Sequence, residues 1–160
     1  MTTQAASDAV RTSIVVNAPL ERAFSVFTEG IDTWWPRSHT IGESPLAEMV
    51  LECRQGGRAY GRGEDGSESD WGRVLVFEPP HRVVVSWDIT LQWKHELDPD
   101  KTSEFEVGFT PEGDGRTLVV LEHRHLDRHG EGWVQMRDAV GSQNGWGDGL
   151  AAFAKAVEAA

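Results

Sequence analysis

Between Ala47 and His125 the apolar residues return in runs of strand-like composition, and each run is followed by a turn signal. The runs read A-E-M-V-L-E-C, R-A-Y-G-R after Gly56-Gly57, W-G-R-V-L-V-F before Glu78-Pro79-Pro80, then Arg82 to Thr90, Ser103 to Thr110 and Thr117 to His125. Alternate side chains of a strand share a face, so such runs build antiparallel strands joined by turns. Pro111-Glu112-Gly113-Asp114-Gly115 is the strongest of the turns. With the β-branched run Arg11 to Asn17 the count reaches seven strands.

Two segments follow the other period. After Ala18-Pro19, where proline suits a first helical turn, Leu20, Ala23, Phe24 and Phe27 recur at helical spacing until Gly30. A second short segment, Ile31 to Trp35, ends against Pro36, so two short helices form an elbow after the first strand. The last forty residues place Trp133, Met136, Val140, Gly147, Leu150, Ala154 and Val157 on one stripe, which predicts one long closing helix. Gly141, Gly145, Gly147 and Gly149 each cost such a helix up to about 1 kcal/mol. They mark either a kink or break near Gly141, or a close approach of the helix to the sheet or to a bound molecule.

The length of 160 residues suits one domain, expected over 11–160 after a flexible N-terminus at 1–10. A net charge of −11 repels phosphate backbones and anionic lipid surfaces, which argues against nucleic acid as a partner. Cys53 is the only cysteine, which excludes an internal disulfide and every multi-cysteine metal site and fits a reducing cytoplasm. Met1 to Asp8 lacks the pattern of a secretory signal, and no stretch approaches the roughly 18 apolar residues of a membrane span. A soluble, cytoplasmic α+β protein is expected.

Several strings narrow the fold: V-N-A-P-L-E-R-A-F-S-V-F-T with Trp34-Trp35-Pro36, the W-G-R-V-L-V-F-E-P-P-H-R-V-V-V-S-W block, T-L-V-V-L-E-H, and Gly145-Trp146. From Ser13 to Val157 the chain resembles the START-like helix-grip (SRPBCC) superfamily, in the branch related to activators of heat-shock protein 90 ATPase. The resemblance implies a curved antiparallel sheet of six to seven strands wrapped around a long C-terminal helix. Between the two, relatives hold lipids, hormones, polyketides or other apolar molecules. It also raises a chaperone or other protein as a partner, although the eukaryotic activators carry an additional N-terminal domain for which this chain has no room.

Seven tryptophans dominate the aromatic set. Each offers a large apolar face and one N–H donor, a combination suited both to a core and to the wall of a cavity. Strand alternation groups Trp71, Arg73, Leu75 and Phe77 on one face, Val83, Val85, Trp87 and Ile89 on another, and Phe105, Val107 and Phe109 on a third. Arg73 on such a face is either a ligand-anchoring charge or a sign that the register differs. His123 and His125, two apart on the last strand, would point to the same side, but further ligands would have to come from distant His39, His95, His129 or an acid, so the pair does not amount to a metal site. Cys53 lacks an activating partner, no G-x-S-x-G elbow occurs, and the Gly56-Gly57 and Gly61-x-Gly63 clusters read as turns rather than a phosphate loop.

The leading expectation is therefore a binding protein for a small apolar or amphipathic molecule, with Trp35, Trp71, Trp87, Phe105, Met136 and Val140 as wall residues and His123 as a polar contact. No cofactor, metal or catalytic set is expected, and the oligomeric state is left open. One alternative is a cyclase, dehydratase or hydrolase of an aromatic or polyketide-like substrate, with His123 or Glu122 moving a proton. Another is a protein-interaction module using an acidic surface and the loop Leu91 to His95, which an apolar patch on the outer sheet face would favour.

Overall fold

The computed structural model describes residues 9–159, so most of the segment expected to be a flexible N-terminus lies outside the described residues. Strand β1 (Val10–Val16) leads into helix α1 (Leu20–Thr28) and a 3-10 turn (Ile31–Thr33). Six strands follow: β2 (Leu46–Leu51), β3 (Arg58–Gly63), β4 (Glu68–Glu78), β5 (Arg82–Trp87), β6 (Ser103–Pro111) and β7 (Thr117–Arg124). The chain closes with a 3-10 turn (Leu126–His129), helix α2 (Trp133–Val140), a break, and helix α3 (Asp148–Ala159). The strands form one curled sheet in the order β1-β7-β6-β5-β4-β3-β2, with every pairing antiparallel. The first and last strands in sequence thus lie side by side.

The concave face is apolar because β5, β6 and β7 keep their alternation: Val83, Val85 and Trp87, then Phe105, Val107 and Phe109, then Val119 and Leu121 are all buried in the core. Strand β4 does not keep it. Trp71 is an extra residue against the Ala59–Tyr60 step of β3, and Leu75 is an extra residue against the Val84–Val85 step of β5. Each bulge adds one residue and shifts the facing of those beyond it. The core positions of β4 are consequently Trp71, Val74 and Phe77, at a spacing of three, rather than the expected Trp71, Arg73, Leu75 and Phe77. Arg73 leaves the concave face and donates two bonds to the buried carboxylate of Asp88, at 2.9 and 3.0 Å.

The expectation of one long closing helix is also corrected. Helix α2 ends at Gly141, and the chain crosses 142–147 before α3 begins. Gly145 has φ −91° and ψ −118°, outside the helical region, and a Cβ there would lie 2.4 Å from the carbonyl oxygen of Val140 and 2.5 Å from that of Ala139. The first sequence explanation of the glycines, a break, holds here, and the close approach at Gly145 is to the end of the preceding helix rather than to the sheet.

The helical layer packs onto the sheet through Met136 and Val140 of α2, Trp146 of the break, and Leu150, Phe153 and Val157 of α3. Phe153 is fully buried and meets Phe27 of α1 edge-on at 5.2 Å and Trp34 at 5.7 Å. The convex face is ionic where β6 and β7 meet. Glu106 and Glu122 stand directly opposite each other, and Arg124 reaches both as well as Glu104, while Arg82 pairs with Glu106 and Arg11 with Glu122. Without Arg124 the facing carboxylates would repel.

Phe153→Ala is expected to destabilise the fold by about 3–5 kcal/mol, the usual cost of emptying a buried aromatic site. Urea unfolding of the variant beside the parent checks it, and a loss below about 1 kcal/mol would mean that this contact is not central.

Candidate functional site

The elbow after β1 is held by its own indoles. Trp34 Nε1 donates to the Val26 carbonyl at 3.1 Å, Trp35 Nε1 donates to the His39 carbonyl at 2.7 Å, and Asp32 accepts from the Met49 amide at 2.8 Å, which ties the elbow to β2. With the chain so fixed, the Trp34 ring packs on Phe27 and Phe153 while the Trp35 ring faces the sheet. Trp35 stacks on Trp71 of β4 at 5.0 Å and meets Trp146 edge-on at 6.2 Å.

A cavity of about 280 Å³ opens between these parts. The elbow supplies Trp34, Trp35, Pro36 and Ile41, and the sheet side supplies Trp71, Trp87, Ile89 and the loop residue Trp93. The helical side supplies Ala139 and Val140, then Asn144, Gly145 and Trp146 of the break, and Gly149. Its polar groups are Ser38, His39, Thr40 and Asn144, and His39 is the one titratable side chain on the lining. The volume lies just under the roughly 300–1,000 Å³ common for small-molecule sites.

Of the seven residues expected to bind a ligand, Trp35, Trp71, Trp87 and Val140 line this cavity. Phe105, Met136 and His123 are buried in the layer behind the lining, with Phe105 4.7 Å from the Trp146 ring. The part of Trp146 was not legible, because its position on the wall depends on the helix break.

His123 is fully buried, and both of its ring nitrogens are engaged. Trp146 Nε1 donates to His123 Nδ1 at 3.1 Å, and His123 Nε2 lies 2.8 Å from Ser103 Oγ. Ser103 Oγ is in turn 2.7 Å from Nε2 of His129, which sits in the 3-10 turn beyond β7. Burial, with a smaller contribution from His129, pushes the His123 pKa down to about 3. His129 is also lowered, chiefly by burial, while the carboxylates of Glu96 and Asp88 pull the other way. Ser103 was not singled out in the sequence, and His129 was raised there only as a distant metal-ligand candidate; a serine opening a strand and a histidine in a turn carry no local signal that they will meet.

Two other expectations are corrected. His125 does not share a side with His123: β7 ends at Arg124, and His125 adopts a left-handed conformation at φ 61° with its side chain exposed. Glu122 cannot act in the cavity, since alternation turns it to the convex face, where it pairs with Arg11 and Arg124.

Curled antiparallel sheet, elbow and broken C-terminal helix together define the helix-grip architecture of the SRPBCC superfamily. Within it, the chain belongs to the family described as Activator of Hsp90 ATPase homolog 1-like protein, whose family model matches residues 17–158. Among solved structures it is similar to an anthrahydroquino-gamma-pyrone synthase, Txn09, complexed with SUM, with 41% identity over 92% of this chain and 96% of that one and a TM-score of 0.66. It is also similar to CalC, a self-sacrificing resistance protein from Micromonospora echinospora, with 30% identity over 94% and 92% of the two chains and a TM-score of 0.61. Protein NE0264 from Nitrosomonas europaea shares the fold at a TM-score of 0.69 and 15% identity, covering 96% of each chain. No curated protein matches the chain. No helix among the described residues is long and apolar enough to cross a membrane.

The depressed pKa of His123 gives a signed prediction. The unfolded chain takes up a proton at this residue near pH 6.5 and the folded chain only near 3, so the stabilisation is complete above about pH 6.5 and is lost as pH falls towards 3. Denaturant titrations at pH 7 and pH 5.5 should show stability falling by up to about 1.4 kcal/mol per pH unit for each such group. His123→Gln should flatten that slope by about one proton, and an unchanged slope would contradict the assignment.

Proposed function

We propose that this protein binds a small, flat, polycyclic aromatic molecule carrying a hydrogen-bond acceptor, held between the elbow, the sheet and the helix break. The observation that carries the reading is the cavity wall: five tryptophans of the lining are at least nine-tenths buried, yet the space they enclose is open. Flat rings offered at several angles suit a planar aromatic guest by stacked and edge-on contact. The indole N–H of Trp87 adds chemical character. It is the one buried side-chain polar atom without a hydrogen-bond partner among the described residues, and because it has no surface open to the cavity an acceptor oxygen would pair with it only on a turn of the ring. Likeness to a protein named as an anthrahydroquino-gamma-pyrone synthase supports the same class of molecule.

Titration with 1,8-dihydroxyanthraquinone and with 9-fluorenone should quench tryptophan emission and raise the melting temperature by mass action. Val140→Trp should fill the space and weaken binding at least tenfold, with a stability cost of about 1–3 kcal/mol measured alongside. Unchanged emission and melting with both compounds would sink the reading.

A second reading has its own support: the relative at 41% identity is named as a synthase, and the cavity holds one titratable side chain. In an enzyme acting on such a molecule, His39 rather than His123 or Glu122 would move the proton, because His123 has both nitrogens engaged behind the wall and Glu122 faces outward. His39→Gln should then leave binding within about twofold while reducing turnover of an anthraquinone-type substrate by at least a hundredfold. A variant that keeps full turnover would remove His39 from the reaction.

A further inference from the structure

We propose that His129, which is outside the cavity lining, is a positioning residue for the cavity: through Ser103 and His123 it fixes the direction of the Trp146 indole. The proposal rests on the binding role argued above and adds a control point to it.

The direction of each hydrogen bond follows from donor and acceptor chemistry. An indole N–H can only donate, so His123 Nδ1 must be the acceptor and carry no proton. The single proton of the neutral imidazole is therefore on Nε2, directed at Ser103 Oγ. The Ser103 hydroxyl has accepted that bond and has one proton left to give. Its partner is His129 Nε2, 2.7 Å away, which must be unprotonated. The chain thus runs one way, from cavity wall to a half-buried histidine: Trp146 to His123 to Ser103 to His129.

Only the neutral form of His129 completes the chain. An imidazolium there would present a second N–H to Ser103 Oγ, leaving the hydroxyl proton without its acceptor. Restoring that acceptor would require moving the His123 proton to Nδ1, where it faces the Trp146 N–H. In the first arrangement the buried Ser103 hydroxyl loses its acceptor; in the second the Trp146 N–H does, and through that second arrangement the strain reaches the wall indole.

The net effect of the surroundings is to favour the neutral ring. Asp88 and Glu96 favour the charged ring while burial opposes it. Asp88 is itself bound to Arg73, and Glu96 accepts from the Asp98 amide. From the adjoining elements, Glu104 of β6 is turned to Arg124, Arg137 of α2 lies over Trp133 and beside Asp138, and Lys101 of the 99–101 turn is exposed.

The test measures affinity for 9-fluorenone, which does not ionise, from pH 7.5 to 5.5. The series is run in a His39→Gln background, so that the titratable group of the lining does not contribute. Affinity should fall severalfold, and by less than tenfold, over this range, because burial holds the His129 pKa below 6.5 and only part of the population is charged at pH 5.5. Adding His129→Gln, whose amide oxygen can accept from Ser103 without titrating, should hold affinity at its pH 7.5 value throughout, and adding Ser103→Ala should weaken binding at every pH without a pH trend. In ligand-free protein, the indole ¹⁵N–¹H resonance of Trp146 should move over the same pH range and stay still in His129→Gln. Equal pH dependence with and without His129, or a Trp146 resonance indifferent to pH, would overturn the proposal. Failure of 9-fluorenone to bind while the resonance still moves would count against the binding role and leave the positioning chain standing.

Discussion

The bond from the Trp146 indole to His123 joins the helical layer to the sheet at a point where neither partner can reach water. An indole N–H or an imidazole buried alone costs as much as the packing of a side chain returns, so each requires the other. That requirement explains why the closing helix is broken. A continuous helix would carry residue 146 around on a regular turn, whereas the glycine-rich crossing after α2 lets the ring drop onto the sheet beside Trp87 and Phe105. Position 145 must then be glycine, because the carbonyls of Ala139 and Val140 occupy the space of a side chain.

Bulges govern the other side of the cavity. In β5, β6 and β7 a period of two assigned the buried faces, and the residues expected there are in the core. In β4 the two extra residues convert that period to three. This lets Trp71 stack on the elbow while Arg73, two positions on, reaches Asp88 away from the apolar face. A bulge leaves little mark on a single sequence, since the residues on either side still look strand-forming. The ambiguity surrounding Arg73 was its trace: a charge on an apparent core face signalled a shifted register.

The same distinction separates what was legible in the candidate site from what was not. Periodicity assigned Trp71, Trp87 and Val140 to interior faces, and all three line the cavity with Trp35 of the elbow, which belongs to no periodic run. Phe105, Met136 and His123 were assigned to the interior for the same reason, but periodicity cannot separate a lining residue from the layer behind it. The meeting of Ser103 and His129 was invisible for a different reason: it depends on β6 and β7 lying side by side and on the turn after Arg124 folding back over the strand ends. The left-handed residue His125 begins that turn, and its side chain leaves the interior as His129 enters it.

A chain with this many aromatic rings could have closed its own interior, so the open space requires a cause. Four of the buried rings around the space are already committed through their N–H groups: Trp34 to Val26, Trp35 to His39, Trp71 to the sulfur of Met49, and Trp146 to His123. Each bond fixes a ring plane, and a fixed ring cannot swing inward to fill a void without leaving its donor unpaired. On the helical side, Gly145 and Gly149 contribute no side chain to the space. The cavity therefore persists because collapse would break the hydrogen bonds that fix these rings, while two of the helical positions facing the space carry no side chain to fill it. Trp87, alone among these buried indoles in lacking an acceptor, faces no such penalty and is held by its ring contacts with Trp71, Phe105 and Trp146.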